Sequence, residues 1–295
     1  MKEAALAAER GVVASVPRDA LGVQHAVAQG EVRIVSLVPS LTELVFDLGL
    51  GDRLVGRTGF CVHPRAALRS VPKVGGTKDV RFDRLRELAP THVLVNIDEN
   101  RRDTVDALAD FVPSVIVTHP CTARDNIELF QLLGGIFSCQ DAAARLQAGL
   151  QAALAETAAL RAELPAENVL YMIWREPWMT VARDTYISAM LAEVGWHTLP
   201  ALEGGPSGAE RYPVVDAGAP WLNAVQRVLL ATEPYHFQAA DVAPVQAQYA
   251  RPALLIDGEM TSWYGSRVIQ GLRYLAALRR QLAGAPADAP AGFSR

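Results

Sequence analysis

The chain has 295 residues, half of them apolar, and a formal net charge of −4. That length is ample for two domains of about 100 to 200 residues, each with its own core, and so weak a charge excludes the basic stripe that a nucleic-acid or anionic-membrane partner demands. Cys61, Cys121 and Cys139 form no CxxC pair and are odd in number, so they indicate neither a disulfide framework nor a structural zinc site.

In chain order, residues 1–30 are alanine-rich and carry Glu3, Glu9, Arg10, Arg18, Asp19 and His25, where a secretory signal would need about 7 to 15 continuous apolar residues. They read as an N-terminal helix or a loose arm, and a chain that starts this way is expected in the cytoplasm. No segment approaches the roughly 20 apolar residues of a spanning helix, so no membrane insertion is expected.

Ile34 to Val38 reads as a buried strand. Pro39-Ser40 then turns into an amphipathic helix with Ser40 as N-cap and Glu43 completing a capping box, and Gly49 stops it. Leu54 to Gly56 restarts extended structure, Gly75-Gly76 marks a loop, Phe82 to Leu88 is helical, and Pro90 precedes the apolar run His92 to Ile97. Val115 to Thr118 is a further strand. Gln140 to Leu164 has no proline and one glycine, with Leu146, Leu150, Leu154 and Leu160 on one side. It reads as one helix of roughly 37 Å, a link between two lobes or a coiled-coil partner. Beyond it Val169 to Trp174, Val225 to Ala231 and Ala253 to Asp257 read as strands, with helices near Ser188 to Val194 and Ser266 to Arg280.

Strands alternating with helices imply an α/β fold with mostly parallel sheets, and ligands then sit beyond the carboxyl ends of the strands. Those ends carry capable residues. Phe60-Cys61-Val62-His63, Asp98-Glu99-Asn100-Arg101 and His119-Pro120-Cys121 follow strands in the first half; Trp174-Arg175-Glu176-Pro177-Trp178, Glu233-Pro234-Tyr235-His236-Phe237 and Glu259 to Tyr264 follow strands in the second. One aromatic alone favours the core, but a cluster of Trp174, Trp178, Trp263 and Tyr264 beside Arg175 favours a flat wall for a macrocycle or metal chelate. Trp196 and Trp221 lie outside these loops and read as packing residues.

Cys61 with His63, and His119 with Cys121, pair metal-capable donors without a recognised zinc spacing. His63 and His236 are the better candidates, since one imidazole can fill an open axial position of a chelated metal. No GxSxG, HExxH or P-loop is present, Gly75-Gly76 lacks the spacing of a phosphate cradle, and Asp98 and Glu99 serve as well to neutralise Arg101 and Arg102 as to act as acid and base.

The phrases RIVSLVPSLTELVFDLGLGDRLVGRTGF and VPKVGGTKDVRFDRLRELAPTHVLVNID resemble the iron-siderophore, haem and cobalamin class of ABC-transporter substrate-binding proteins, the cobalamin-binding type above all. The resemblance runs from about Glu31 to Ala283. It implies an N-lobe of residues 31–139, a linking helix 140–164 that restricts lobe motion, a C-lobe 165–284 and a flexible tail 285–295. It further implies a monomeric periplasmic binding protein, not an enzyme and without an intrinsic cofactor, that captures a cobalamin-like corrinoid or an iron chelate between the lobes. The expected ligand contacts are Phe60, Cys61, His63, Asp98, Glu99, Trp174, Arg175, Trp178, Tyr235, His236, Trp263 and Tyr264. An ABC permease would dock through Glu43, whose partner glutamate on the second lobe has no counterpart; Tyr212 to Trp221 offers only Asp216. A cytoplasmic carrier or sensor without a permease, and an enzyme acting on a metallated macrocycle, are the alternatives.

Overall fold

In a computed structural model of the chain, residues 18–284 are described. Residues 1–17, most of the expected arm, and the expected tail from 285 onward lie outside them. The N-terminal half runs β1 (Ile34–Ser36), α1 (Pro39–Asp47), β2 (Leu54–Arg57), α2 (Phe82–Glu87), β3 (His92–Asn96), α3 (Arg102–Ala109), β4 (Ser114–Thr118) and α4 (Asn126–Ile136). A long helix, α5 (Gln140–Glu163), follows. The C-terminal half runs β5 (Glu167–Met172), α6 (Tyr186–Ala192), β6 (Trp196–Thr198), β7 (Arg227–Ala231), α7 (Ala239–Tyr249), β8 (Ala253–Ile256), α8 (Gly258–Ser262) and α9 (Arg267–Gly284).

Each half builds a parallel four-stranded sheet, ordered β2-β1-β3-β4 in the first and β6-β5-β7-β8 in the second. The strands are apolar on both sides because both faces are covered, and their alternation sorts residues between two cores. Val93 and Val95 of β3 join an outer N-lobe cluster, whereas Leu94 between them joins a central one. In β5, Leu170 and Met172 face an outer C-lobe cluster while Val169 and Tyr171 face the same central core. That central core also takes Leu150, Leu154 and Leu160 of α5 and Val268, Leu272 and Leu275 of α9. It is therefore continuous through both lobes. The apolar side of α5 packs on α4 and α9 of its own chain, not on a coiled-coil partner.

Two local readings are corrected. The helix α1 begins at Pro39, with Val38 as an N-cap that makes no side-chain bond; proline's fixed φ suits the first helical position. Ser40 is consequently inside the first turn and buried, and Glu43 closes no capping box. Its end is as expected, since Gly49 takes φ +77 just past the C-cap. Residues 18–30 are neither a helix nor a loose arm. Ala20 donates its N–H to the Val117 carbonyl at 2.9 Å, and the Val117 N–H donates to Asp19 Oδ2 at 3.1 Å. The segment thereby covers the open edge of β4, which would otherwise present unpaired backbone groups. Buried His25 fixes it, lying 3.1 Å from Asp19 Oδ2 and 3.0 Å from the Ser114 hydroxyl.

Candidate ligand cleft

All strands of a parallel sheet end on one edge, so each lobe presents its strand-end loops together. The two sets face each other. Tyr264 Oη donates to Glu99 Oε1 at 2.7 Å, the Gly265 N–H donates to Asn126 Oδ1 at 2.6 Å, and Arg267 donates to both oxygens of Glu43 at 2.7 Å. His63 Nε2 lies 3.0 Å from Glu259 Oε2, and Arg211 lies 3.5 Å from Asp98 Oδ2. Gly265 holds φ +75 with Leu44 and Ser40 against it, so the turn between α8 and α9 reaches the N-lobe in a left-handed conformation that a side chain would strain.

The N-lobe wall is the loop after β2. Phe60 is 63% exposed and Val62 38%, whereas Cys61 between them is 1% exposed. Cys61 is thus corrected from a ligand contact to a core thiol. Its Sγ lies 3.0 Å from the Thr42 hydroxyl and 3.1 Å from that of Thr58, and burial pushes its pKa up. The loop is braced from beneath by buried Arg57, which donates to the carbonyls of Thr58, Cys61 and Leu68 at 3.0 to 3.1 Å.

The C-lobe wall follows β5 and β7. Trp174, 42% exposed, meets Tyr235 edge-on at 5.6 Å; Tyr235 leans on Phe237 at 4.6 Å, and Phe237 lies parallel to Trp178 at 5.9 Å. Trp174 is exposed while Trp178 is half-buried against the outer C-lobe core, with Arg175 5.7 Å above its ring. Trp221 packs on that same core and Trp196 is buried in the central one, as their position in sequence leads one to expect.

Trp263 and Tyr264 are corrected from ligand wall to the back of the cleft, at 8% and 6% exposure. Trp263 Nε1 donates to Glu233 Oε1 at 2.7 Å under the Arg267 guanidinium, and the Tyr264 ring meets Tyr186 edge-on. A ring with a polar tip is buried readily once that tip is satisfied. Of the two proposed axial histidines, His63 is held by Glu259 through Nε2 and touches Trp263 edge-on at 5.5 Å, so coordination would fall to its Nδ1, with Glu259 orienting the ring. His236 is exposed, its Nδ1 3.3 Å from the Thr232 carbonyl.

The floor is electrically dense. Burial pushes the Glu99 carboxyl up to about 7, against the pull of the Tyr264 hydrogen bond and Lys78 and with help from Glu233 and Asp98. Glu233 is likewise raised, by burial. His119 is raised to about 9, mainly by its bond to Asp98 at 3.4 Å and then by Cys121 at 3.5 Å. No group of three or more His, Cys, Asp or Glu side chains among the described residues is arranged to hold a metal ion. Glu43, expected to await a permease, is instead bound on both oxygens by Arg267. A guanidinium fork is a stronger partner than a backbone N–H at a helix start, which explains both this correction and the unmade capping box. Arg211 and Arg267 lie away from the strand ends, and nothing in the sequence marks them; Glu233 and Glu259 stand in strand-end loops but carry no signal of their roles.

Two parallel-sheet lobes, a helical spine shared by their cores and a cleft between facing strand ends define a two-lobed binding protein. No helix among the described residues is long and apolar enough to cross a membrane. The chain belongs to the periplasmic binding protein family, which it matches over residues 34–217. It is 28% identical over 100 residues to a vitamin B12-binding protein of Photorhabdus laumondii, a match covering 34% of this chain and 36% of that relative. The chain thus spans about a third of the length of the curated relatives it matches. Its fold is that of the periplasmic vitamin B12-binding protein BtuF of Vibrio cholerae, with TM-score 0.70, 18% identity and coverage of 86% of this chain and 98% of the other. It is equally that of the haem-binding protein RhuT of Roseiflexus, with TM-score 0.70, 22% identity and coverage of 86% and 100%.

Proposed function

We propose that the cleft captures a metal chelate, a cobalamin-like corrinoid or an iron chelate, for ABC-type uptake. The observation that carries this reading is the pair of exposed rings on opposite walls, Phe60 on the N-lobe and Trp174 on the C-lobe. Isolated apolar side chains are common on any surface, but exposed rings in the strand-end loops of both lobes offer flat faces at little cost in conformational entropy. Val62 and Tyr235 extend these faces, Arg175 and Trp178 stand behind the second, and Asp98 and Glu99 lie at the base. His63 or His236 would serve as an axial ligand if the metal takes one. The names of the similar proteins, which bind vitamin B12 or haem, support the same class of ligand. An ABC permease is the proposed partner of a monomeric chain, through a surface other than Glu43. A carrier or sensor without a permease is the second reading, favoured by the internal pairing of Glu43.

Titration calorimetry with cyanocobalamin, cobinamide, haem and a ferric siderophore tests the proposal. One of them should bind at micromolar concentration or better, and a spectral shift lost in His63→Ala or His236→Ala would identify an axial ligand. If none binds at high micromolar concentration, the proposal is wrong.

A further inference from the structure

We infer that the cleft selects a chelate whose periphery carries neutral N–H donors, carboxamides above all, over one whose periphery carries free carboxylates. The inference rests on the chelate-binding reading and adds the chemistry of the ligand's rim.

Three observations support it. The buried arginines that tie the two walls together already have partners. Arg267 is held by Glu43 and by Glu259 at 2.9 Å. Arg211 faces Asp98 and, at 3.8 Å, Asp184, and it donates to the carbonyls of Gly205 and Asp184. Arg175 bonds Asp241 at 3.0 Å, and Lys78 donates to the Asp98 carbonyl at 2.9 Å. A carboxylate-rimmed ligand needs a guanidinium or ammonium to pair with it, and taking Arg267, Arg211 or Arg175 from its partner strips a carboxylate inside the protein.

Acceptors, in contrast, are in surplus. Glu99 from the N-lobe receives the Tyr264 hydroxyl on Oε1, and Glu233 from the C-lobe receives the Ser262 hydroxyl and the Trp263 N–H, both on Oε1. Among the described residues, Oε2 of each carries no hydrogen bond. The two carboxyls are held by the consecutive side chains of Trp263 and Tyr264 and lie near enough for Glu233 to help raise Glu99. An arriving carboxylate would meet both.

The seam between Asp98 and Arg211 is also incomplete. Asp98 Oδ1 and Arg211 Nε are buried without a partner among the described residues, and the Arg211 side chain is 2% exposed. Buried polar atoms are nearly always paired, so each asks for a group that is missing. A primary carboxamide has both the N–H that Asp98 Oδ1 lacks and the carbonyl that Arg211 Nε lacks. A carboxylate has acceptors only.

The test compares two corrinoids that differ at the rim, dicyanocobinamide with its amides and dicyanocobyrinic acid with its carboxylates, by quenching of tryptophan fluorescence at pH 7.5 in the full chain. Cobinamide should bind about tenfold tighter or better, and haem, with two propionates, should fall on the weak side. In Glu99→Gln and Glu233→Gln, which keep shape and the Tyr264 and Trp263 contacts, the preference should shrink to about threefold or less, with unchanged circular dichroism as the check on folding. Equal or tighter binding of the carboxylate corrinoid or haem by the unaltered chain overturns the inference while leaving the chelate reading intact, whatever the variants do. An undiminished preference in both folded variants overturns the role of the two glutamates. Binding of neither corrinoid nor haem at high micromolar concentration sinks the chelate reading and this inference with it.

Discussion

Replacing Arg267 with alanine cuts the strongest tie between the lobes. The guanidinium is 7% exposed and makes two 2.7 Å bonds to Glu43 of α1 and one of 2.9 Å to Glu259 of α8, with its carbon 4.7 Å from the Trp263 ring centre. Removing it leaves two carboxylates facing the same void, with only His63 beside Glu259. Breaking a buried ion pair from one side costs about 3–5 kcal/mol. Glu43 and Glu259 retain 19% and 27% exposure, so water relieves part of that and the loss falls to about 3 kcal/mol, the contact with Trp263 included. At about 2–4 °C per kcal/mol for a chain of this size, the melting temperature should drop by about 6–12 °C. Thermal unfolding followed by near-ultraviolet circular dichroism reads this directly. Arg267→Lys restores the charge without the fork and should recover less than half of the loss. A melting temperature for Arg267→Ala within about 2 °C of the parent would refute the idea that this cluster joins the lobes.

Trp174→Ala and Phe60→Ala should each weaken chelate binding by about tenfold, while Cys61→Ala should leave affinity within about twofold and lower thermal stability instead, as calorimetry and melting curves would show. Glu99 holds its proton up to about pH 7 in the folded chain but only to 4.5 when unfolded, so its contribution is fully present below pH 4.5 and is lost as the pH rises to 7; urea titrations should find Glu99→Gln gaining stability relative to the parent across that window. His119 is raised from 6.5 to about 9, so the advantage of the parent over His119→Gln should be greatest below pH 6.5 and fade by pH 9 in the same assay. Because one core runs through both lobes, small-angle scattering profiles with and without chelate should nearly coincide, and a marked compaction on binding would show that α5 or α9 yields.

The fold was legible where one physical signal sufficed. An apolar run bounded by Pro90 and Asp98 gives β3, and an alanine- and leucine-rich stretch free of proline gives α5. Two of the missed elements lack such a signal. β6 is three residues long, with His197 exposed between Trp196 and Thr198, too short for any periodicity. α7 contains Pro244 and buries little beyond Val245, and its start is a capping box made by Gln238 and Asp241 in place of serine or threonine. The capping box read at Ser40 fails for the opposite reason. Its spacing is right, but Glu43 is claimed by an arginine more than 200 positions away in sequence, a competition that no local pattern reveals.

The same competition sorts the rings of the cleft. Parallel topology gathers the strand-end loops, so sequence alone finds the neighbourhood, but it does not tell which aromatic turns inward. The structure suggests the rule. Trp263 and Tyr264 have polar tips that meet Glu233 and Glu99, and a satisfied tip allows the ring to be buried. Phe60 has no polar tip, and Trp174 Nε1 has no partner among the described residues. These two stay at the surface, 63% and 42% exposed. Where a carboxylate reaches a ring, the ring becomes part of the joint between lobes; where none does, its face stays open. Glu99 and Glu233 therefore have two effects, fixing the back of the cleft through one oxygen each and setting its acidity through the other.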